Sequence, residues 1–461
     1  MDESTLSELW WETSDERKTH ESAIADFETL RDGTSRHDRY STYERIYRNE
    51  QVDESLTLSA ELSRFGVDLK GYTKSSYNLI ATATDNIVSR IVRNKPRAVY
   101  QVSGGNWSLR RTAKMQQKWV DYIAHSKYFP RVAVTQVRDG VLLGNGHSKV
   151  YKRHGVDEVA VSHVHPGDVF VDPVEVMYGE PRRMMQRMFC SKDAARRMFS
   201  GKEKLVEDSG VMSAEAFLSR QDGVDSATPI LSQVEVVEAW HLPSIPGADD
   251  GKHLIFCERG LLWEGPWERE DFPILTYQWK SRPGDSFHGI AVPEQILGIH
   301  LDLNFSLQQI YESAEVTASP LILSPQSANM SRAEFTDQPG SVWEYSGNVA
   351  PQLIQPAKVQ MDMLSLVNDQ EARAYRRLGL DSATPNDPSP GLETGRAVRM
   401  DFDARSMACA TALQNFENLY KDFGDKACSA GKQIHESNKK FSVVVPRNKW
   451  TVEDVPWEDV S

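Results

Sequence analysis

The sequence predicts a mixed α+β protein in which a body of short strands is followed by unusually long helices. Between about residues 132 and 279, apolar residues come in short runs separated by Gly and His-Pro-Gly turns, the pattern of strands. After Pro283-Gly284 they recur at three- and four-residue steps over tens of residues, the pattern of helices. The 461 residues, 39% hydrophobic and 26% charged, suffice for two or three domains and fit a well-charged globular chain rather than a disordered or membrane one.

Residues 1–60 hold fifteen acidic and seven basic side chains, so 1–70 read as a solvated, acidic helical arm. A helix follows from Lys74, with Tyr77, Ile80, Ala83, Ile87 and Ile91 on one face and Lys95-Pro96 as its stop. A second, over about 108–126, buries Met115, Trp119, Tyr122 and Ile123. Residues 141–143, 149–151, 159–162 and 169–171 read as short strands, 233–240 as a half-buried strand, and 253–257 and 273–279 as further strands. Trp240, Trp263, Trp267, Tyr277 and Trp279 mark a packed sheet rather than a ligand cage.

Ile296, Ile299, Leu303, Leu307, Ile310, Ala314 and Thr317 then form one apolar face of a helix over 292–318. At about 1.5 Å per residue it spans roughly 40 Å, and its charges are Glu294, Asp302, Glu312 and Glu315 with no Lys or Arg. Five prolines exclude a helix from 319–359, where 321–323 and 341–345 read as strands. A helix over 361–380 carries Met363, Leu366, Val367, Gln370, Ala374 and Leu378. Residues 381–391 pack three prolines into a loop long enough to be functional. A last helix over about 394–437 buries Ala404, Ala408, Ala412, Phe416, Leu419, Phe423 and Ala427, with a kink expected at Gly424 or Gly431. A strand at 441–446 and an acidic, Trp-bearing tail close the chain.

Several function classes are disfavoured. A formal net charge of −13 argues against a surface that coats nucleic acid, leaving only local or sliding contact. No stretch is apolar enough to span a membrane, and the acidic start lacks the basic-then-apolar pattern of a secretory signal. Cys190, Cys257, Cys409 and Cys428 form no Cys-x-x-Cys pair, which points to a reducing compartment. Gly201-Lys202, Gly251-Lys252 and Gly431-Lys432 do not fit a phosphate loop, and Gly144-Asn-Gly146 reads as a tight turn. His154, His163 and His165 read as surface or turn histidines; Asp285 or Ser286 reads as a helix cap. Asp401/Asp403 and Glu235/Glu238 read as solvated charges, so no catalytic residue, metal ligand or cofactor is expected.

One basic cluster stands out. Arg182, Arg183, Arg187, Lys192, Arg196, Arg197 and Lys202 lie close together with a single acid, Asp193, and are interleaved with Met184, Met185, Met188, Phe189, Met198 and Phe199. It is a candidate for docking an acidic partner or nucleic acid; the alternative is an amphipathic helix pair with a solvated or intersubunit charged face.

The order of elements, with several short stretches, resembles the portal proteins of tailed double-stranded-DNA bacteriophages. The stretches are Tyr77-Asn78-Leu-Ile, Asp85-Asn86-Ile-Val-Ser-Arg and Asn94-Lys95-Pro96; then His165-Pro166-Gly-Asp-Val-Phe-Val-Asp172-Pro173 and Phe272-Pro273-Ile. They continue with Pro283-Gly284-Asp-Ser-Phe-His-Gly289-Ile-Ala-Val-Pro, Asn304, Glu312-Ser-Ala-Glu315 and Gln338-Pro339-Gly340-Ser-Val. Each is degenerate alone; their collinearity over about residues 70–440 carries the likeness.

The resemblance implies a ring-forming portal fold: an α/β wing over 71–285, stem helices at 286–318 and 360–380, and a β-rich clip at 319–359. A tunnel loop at 381–394 and a long helix with a return strand at 395–461 complete it, the crown being minimal or absent. It implies a dodecameric homo-oligomer at one capsid vertex of the virion, assembled in the host bacterial cytoplasm, through which double-stranded DNA is packaged and ejected. The implied partners are the terminase large subunit, tail adaptor proteins, the major capsid protein and scaffolding protein, with no membrane. Asp381, Ser382, Thr384, Asn386, Asp387, Ser389 and Glu393 would line the tunnel loop. Arg332, Glu334, Phe335, Trp343 and Tyr345 would serve clip docking or subunit contacts. The alternatives are another head–tail connector or scaffold-like protein and, with thinner support, a metal-dependent packaging nuclease using Asp401 and Asp403.

Overall fold

The computed structural model describes residues 9–32, 36–49, 77–102, 104, 107–153, 158–211, 233–318, 321–323, 352–354, 361–380, 409–435, 440–445 and 451–456. In chain order these form α1 (Glu16–Asp32), α2 (Arg36–Tyr47), α3 (Leu79–Val92), α4 (Trp107–Ser126), α5 (Phe129–Leu143), β1 (Asn145–Lys152), β2 (Val159–Val164) and β3 (Val169–Val171). Next come α6 (Pro173–Tyr178), β4 (Arg183–Ser191), α7 (Lys192–Met198), α8 (Glu203–Asp208), β5 (Gln233–His241), β6 (Lys252–Cys257), β7 (Gly260–Pro266), β8 (Ile274–Gln278), β9 (Ser281–Arg282) and β10 (Asp285–Gly289). The remainder are α9 (Val292–Ala318), β11 (Leu321–Leu323), β12 (Gln352–Ile354), α10 (Met361–Arg377), α11 (Ala410–His435), β13 (Lys440–Val445) and β14 (Thr451–Pro456). The mixed α+β class holds.

The chain divides into two units: residues 1–48, 80–295 and 383–461 form the first, and 49–79 with 296–382 the second. Unit 1 is built on two antiparallel sheets, ordered β2-β1-β8 and β3-β4-β5-β6-β7. In the smaller sheet Lys149 pairs with Ser162 on one side and Ile274 on the other. Its helical cover depends on close approach. A Cβ at Gly140 would lie 2.5 Å from the Tyr277 ring, and one at Gly146 would collide with the Gln136 backbone. Gln136 in turn donates to Gly146 O and Leu275 O at 3.1 and 3.0 Å and accepts from Ser148 Oγ at 2.7 Å. From α11, Phe423 stacks on Phe129 at 3.7 Å.

Residues 16–32 are not a solvated arm. Ala23, Phe27 and Leu30 of α1 pack with Phe170, Met185, Val237, Ala239 and Phe256 on one face of the larger sheet. The other face is covered by Ala195, Phe199 and Val206 against Val234, Val236 and Leu262. Strand β5 is therefore buried on both sides rather than half-buried, with only Gln233 intermediate.

Other expectations are corrected. Residues 141–143, expected as a strand, are the last turn of α5, where a continuous apolar run is as compatible with a buried helix end. Asp285 caps no helix: its carboxylate accepts from the Phe287 and His288 amides at 3.1 and 2.8 Å in the β9–β10 hairpin. Helix α11 runs through Gly424 and Gly431 without a break. Gly424 admits the Tyr100 hydroxyl, which a Cβ would strike, so this close packing accounts for that glycine. The tail holds β14, paired with β13 from Lys440↔Pro456 to Val445↔Thr451. His163 and His165 pair with Asp139 and Glu44, and His165 Nδ1 also accepts from the Gly167 amide at 3.0 Å; His154 lies outside the described residues.

In unit 2, the stripe of α9 that is buried runs through Ile296, His300, Leu303, Asn304 and Gln308, more polar than the expected one. Ile299, Leu307 and Ile310 are only half-buried. Asn304 accounts for the shift: it accepts from the Tyr77 amide at 2.7 Å and donates to Tyr77 O at 3.2 Å and His300 O at 2.8 Å. Burial pushes His300 down to about 4. Gln370 of α10 donates to Ser306 Oγ at 3.3 Å, and Tyr77 Oη to Glu371 at 2.8 Å. Strands β11 and β12 pair antiparallel, Leu321↔Ile354 to Leu323↔Gln352.

Candidate functional site

The tunnel-loop candidates Asp381, Ser382, Thr384, Asn386, Asp387, Ser389 and Glu393 lie outside the described residues, as do the clip candidates Arg332, Glu334, Phe335, Trp343 and Tyr345 and the pair Asp401 and Asp403.

The basic run 182–202 begins as a strand, and its cations do not form one surface. Arg183 and Arg187, four apart on β4, project from the same face toward carboxylates. Arg183 donates to Asp26 at 2.9 Å, pairs with Asp172 and Glu175, and lies over the Trp11 ring at 5.6 Å. Burial raises Asp26 despite Arg183, whereas Arg183 and the Val174 amide hold Asp172 below its usual range against its own burial. Arg187, 3% exposed, donates to Asp168 and Gly167 O, both at 3.0 Å.

The remaining members tie neighbouring elements together. Lys192 and Arg196 both bind Glu207, through its carbonyl and its carboxylate, each at 2.8 Å. Lys202 reaches Glu16 at 2.6 Å, and Arg182 donates to Ser244 O at 2.8 Å. Arg197 is exposed. Asp26 and Glu16 come from far along the chain and Asp168, Asp172, Glu175 and Glu207 from just outside the run, so a charge count over 182–202 alone misrepresents its environment.

A basic stripe that the sequence reading missed lies on α4. Trp107, Arg110, Arg111 and Lys114 are exposed, and Lys118 continues the same face one turn on. Its signal was present as Arg-Arg-x-x-Lys-x-x-x-Lys at helical spacing. Arg111 lies 5.8 Å from the centroid of the Trp107 ring.

Glu235 and Glu238 are not solvated: they are 0% and 6% exposed. Three residues apart on a strand, they point to opposite faces. Glu238 pairs with Lys149 of β1, so one ion pair joins the two sheets of unit 1. His253 Nε2 donates to the second oxygen of Glu238 at 2.8 Å, and Lys149 Nζ lies 4.8 Å from both the Trp240 and Tyr151 rings. Burial alone would raise the Glu238 carboxyl, but Lys149 and His253 hold it down to about 2. A charge pair this well enclosed is one whose breaking would leave the other partner buried and without its counter-charge.

In unit 2, α9 presents Phe305 and Tyr311 at 51% and 53% exposure, and α10 presents Leu364 and Leu366 at 47% and 43%. Arg373 and Arg376 of α10 pair with Asp369 on their own helix. Among the described residues, no three His, Cys, Asp or Glu side chains are placed to hold a metal ion, and no helix is long and apolar enough to cross a membrane. The four cysteines are free, and burial pushes the Cys190 and Cys428 thiols up to about 11. No family model and no curated protein matches the chain.

Proposed function

We propose that this chain is the portal protein of a tailed double-stranded-DNA bacteriophage: a non-enzymatic, ring-forming conduit for genome packaging and ejection. In this reading it docks the terminase large subunit and, after packaging, tail adaptor proteins, within a shell of major capsid protein and alongside scaffolding protein.

The observation that carries this reading is the helix–hairpin–helix layout of unit 2. A 27-residue helix leads into strand 321–323, which pairs antiparallel with 352–354 before the 17-residue α10. A stem, clip and returning stem require this layout. Two further features support it. Large apolar side chains half-exposed on both helices suit contact with neighbouring copies. The charges of α9 are all acidic, and a lumen without fixed cations lets DNA slide, because it neutralises no phosphates.

Negative-stain electron microscopy beside native mass measurement tests the proposal. Closed rings of about a dozen subunits with an axial hole are the expected result. A monomer or dimer that persists at every concentration and with scaffolding protein added overturns it. Within a ring-forming protein, deleting 324–351 should leave rings intact and abolish terminase binding; rings that dissolve on this deletion would favour another kind of connector.

A further inference from the structure

A pocket of about 290 Å³ opens in unit 1 between α2, β3 and the β9–β10 hairpin, lined by Arg36, Arg39, Tyr40, Arg282, His288 and Glu294 over an apolar wall from β3. Three guanidiniums converge there on a single lining carboxylate. That carboxylate is already engaged, since Arg282 Nη2 donates to both oxygens of Glu294 at 2.8 and 2.5 Å. Asp285, just behind, takes Arg36 at 2.9 Å but also accepts from two backbone amides and from His288 Nδ1 at 3.1 Å.

Cationic donors remain in excess. Arg36 Nη1 and Arg282 Nε are buried with no hydrogen-bond acceptor among the described residues. Arg39 has no ion pair there either. A buried donor without an acceptor is costly, and convergent like charges against an apolar wall are more so.

We propose that this pocket binds a phosphate group, either as free inorganic phosphate or as the terminal phosphate of a small phosphomonoester. A tetrahedral dianion offers oxygens in three directions at once, which suits three guanidinium forks better than a planar carboxylate does. The pocket volume equals roughly ten waters of liquid, so it takes a phosphate together with part of an attached group. This inference stands apart from the conduit reading, since every lining residue belongs to unit 1.

Isothermal titration of the full chain with inorganic phosphate and with adenosine monophosphate, at constant ionic strength, tests it. One saturable site per chain is expected, weakened about tenfold or more in Arg39→Gln. Thermal melts should rise with phosphate and not with chloride of equal ionic strength. Adenosine monophosphate binding about tenfold tighter than phosphate assigns the site to phosphomonoesters, and equal or weaker binding assigns it to the free ion. No saturable binding of either ligand up to about 10 mM, or unchanged affinity in an Arg39→Gln protein that melts like the parent, overturns the proposal.

Discussion

In unit 1, every residue of β5 from Val234 to His241 is buried, whereas in unit 2 the helices leave Phe305, Tyr311, Leu364 and Leu366 at 43–53% exposure. The first is covered on both sides by its own chain: α1 on one face, and α7, α8 and the Lys149 strand on the other. The second spends much of its buried helix stripe on polar side chains, using Asn304 to hold the Tyr77 backbone. The contrast lies between a strand closed over from both faces and two helices whose large apolar residues are half-covered; it is not one of unit against unit, since unit 1 also leaves Trp107, Tyr128 and Tyr178 exposed.

The comparison can be broken most forcefully at the ion pair between the sheets. Lys149→Met leaves Glu238 buried with His253 as its remaining partner and should cost about 3–5 kcal/mol by chemical denaturation. The double variant Lys149→Met/Glu238→Leu should recover most of that loss, since a well-packed apolar pair replaces a desolvated ionic one. Equal destabilisation in the two variants would mean that the charges do not act as a pair. Phe27→Ala should cost about 3 kcal/mol, because Phe27 is 0% exposed in the α1 core; a loss below about 0.5 kcal/mol would return 16–32 to the status of a free arm.

Acid should weaken both regions through histidines that are buried neutral. His147 of unit 1 and His300 of unit 2 are pushed down, chiefly by burial, to about 3 and about 4. Their unfolded counterparts titrate near the ordinary value of about 6.5, so the unfolded chain binds more protons below that pH. The stabilisation is complete above about 6.5 and falls by about 1.4 kcal/mol per histidine per pH unit toward the folded values. His147→Asn should flatten the pH dependence of the melting temperature between about 6 and 4 by its share. Smallest in stability is Phe305→Ser/Leu366→Ser: unfolding should move by no more than about 0.5 kcal/mol per site, while under the proposed assembly native mass should show loss of any ring the parent forms. A double variant that assembles like the parent would remove these two side chains from the proposed interface.

What the sequence made legible follows from how local each signal is. The span Val292–Ala318 was readable to the residue because a sustained three- and four-residue period and flanking prolines are local facts. The paired strand 321–323 was readable for the same reason. Glu235 and Glu238 were misread because nothing near them in sequence announces that Lys149 and α1 will close over them. Arg183 and Arg187 were misread likewise: their partners Asp26, Asp168 and Asp172 come from other elements. The polar stripe of α9 escaped because hydropathy alone cannot distinguish a buried Asn that holds a distant backbone from a solvated one. The arginines of the phosphate-site candidate could not be grouped from sequence, since Arg36 and Arg39 lie far along the chain from Arg282.

The pairing of Lys149 with Ile274, and the hydrogen bond from Tyr277 Oη to Ala412 O at 3.3 Å, have a consequence for the order in which the protein can be made. The small sheet of unit 1 joins strands far apart in the chain, and its cover includes a helix from 410–435. On a ribosome, residues 296–382 must therefore emerge, and have the opportunity to fold, while the core that flanks them in sequence still waits for its last helix. Such non-local closure is slow relative to helix formation. Unit 2 is thus synthesised before the fold of unit 1 can close, so that under the proposed ring assembly its helices would meet other nascent copies before the final helix has docked.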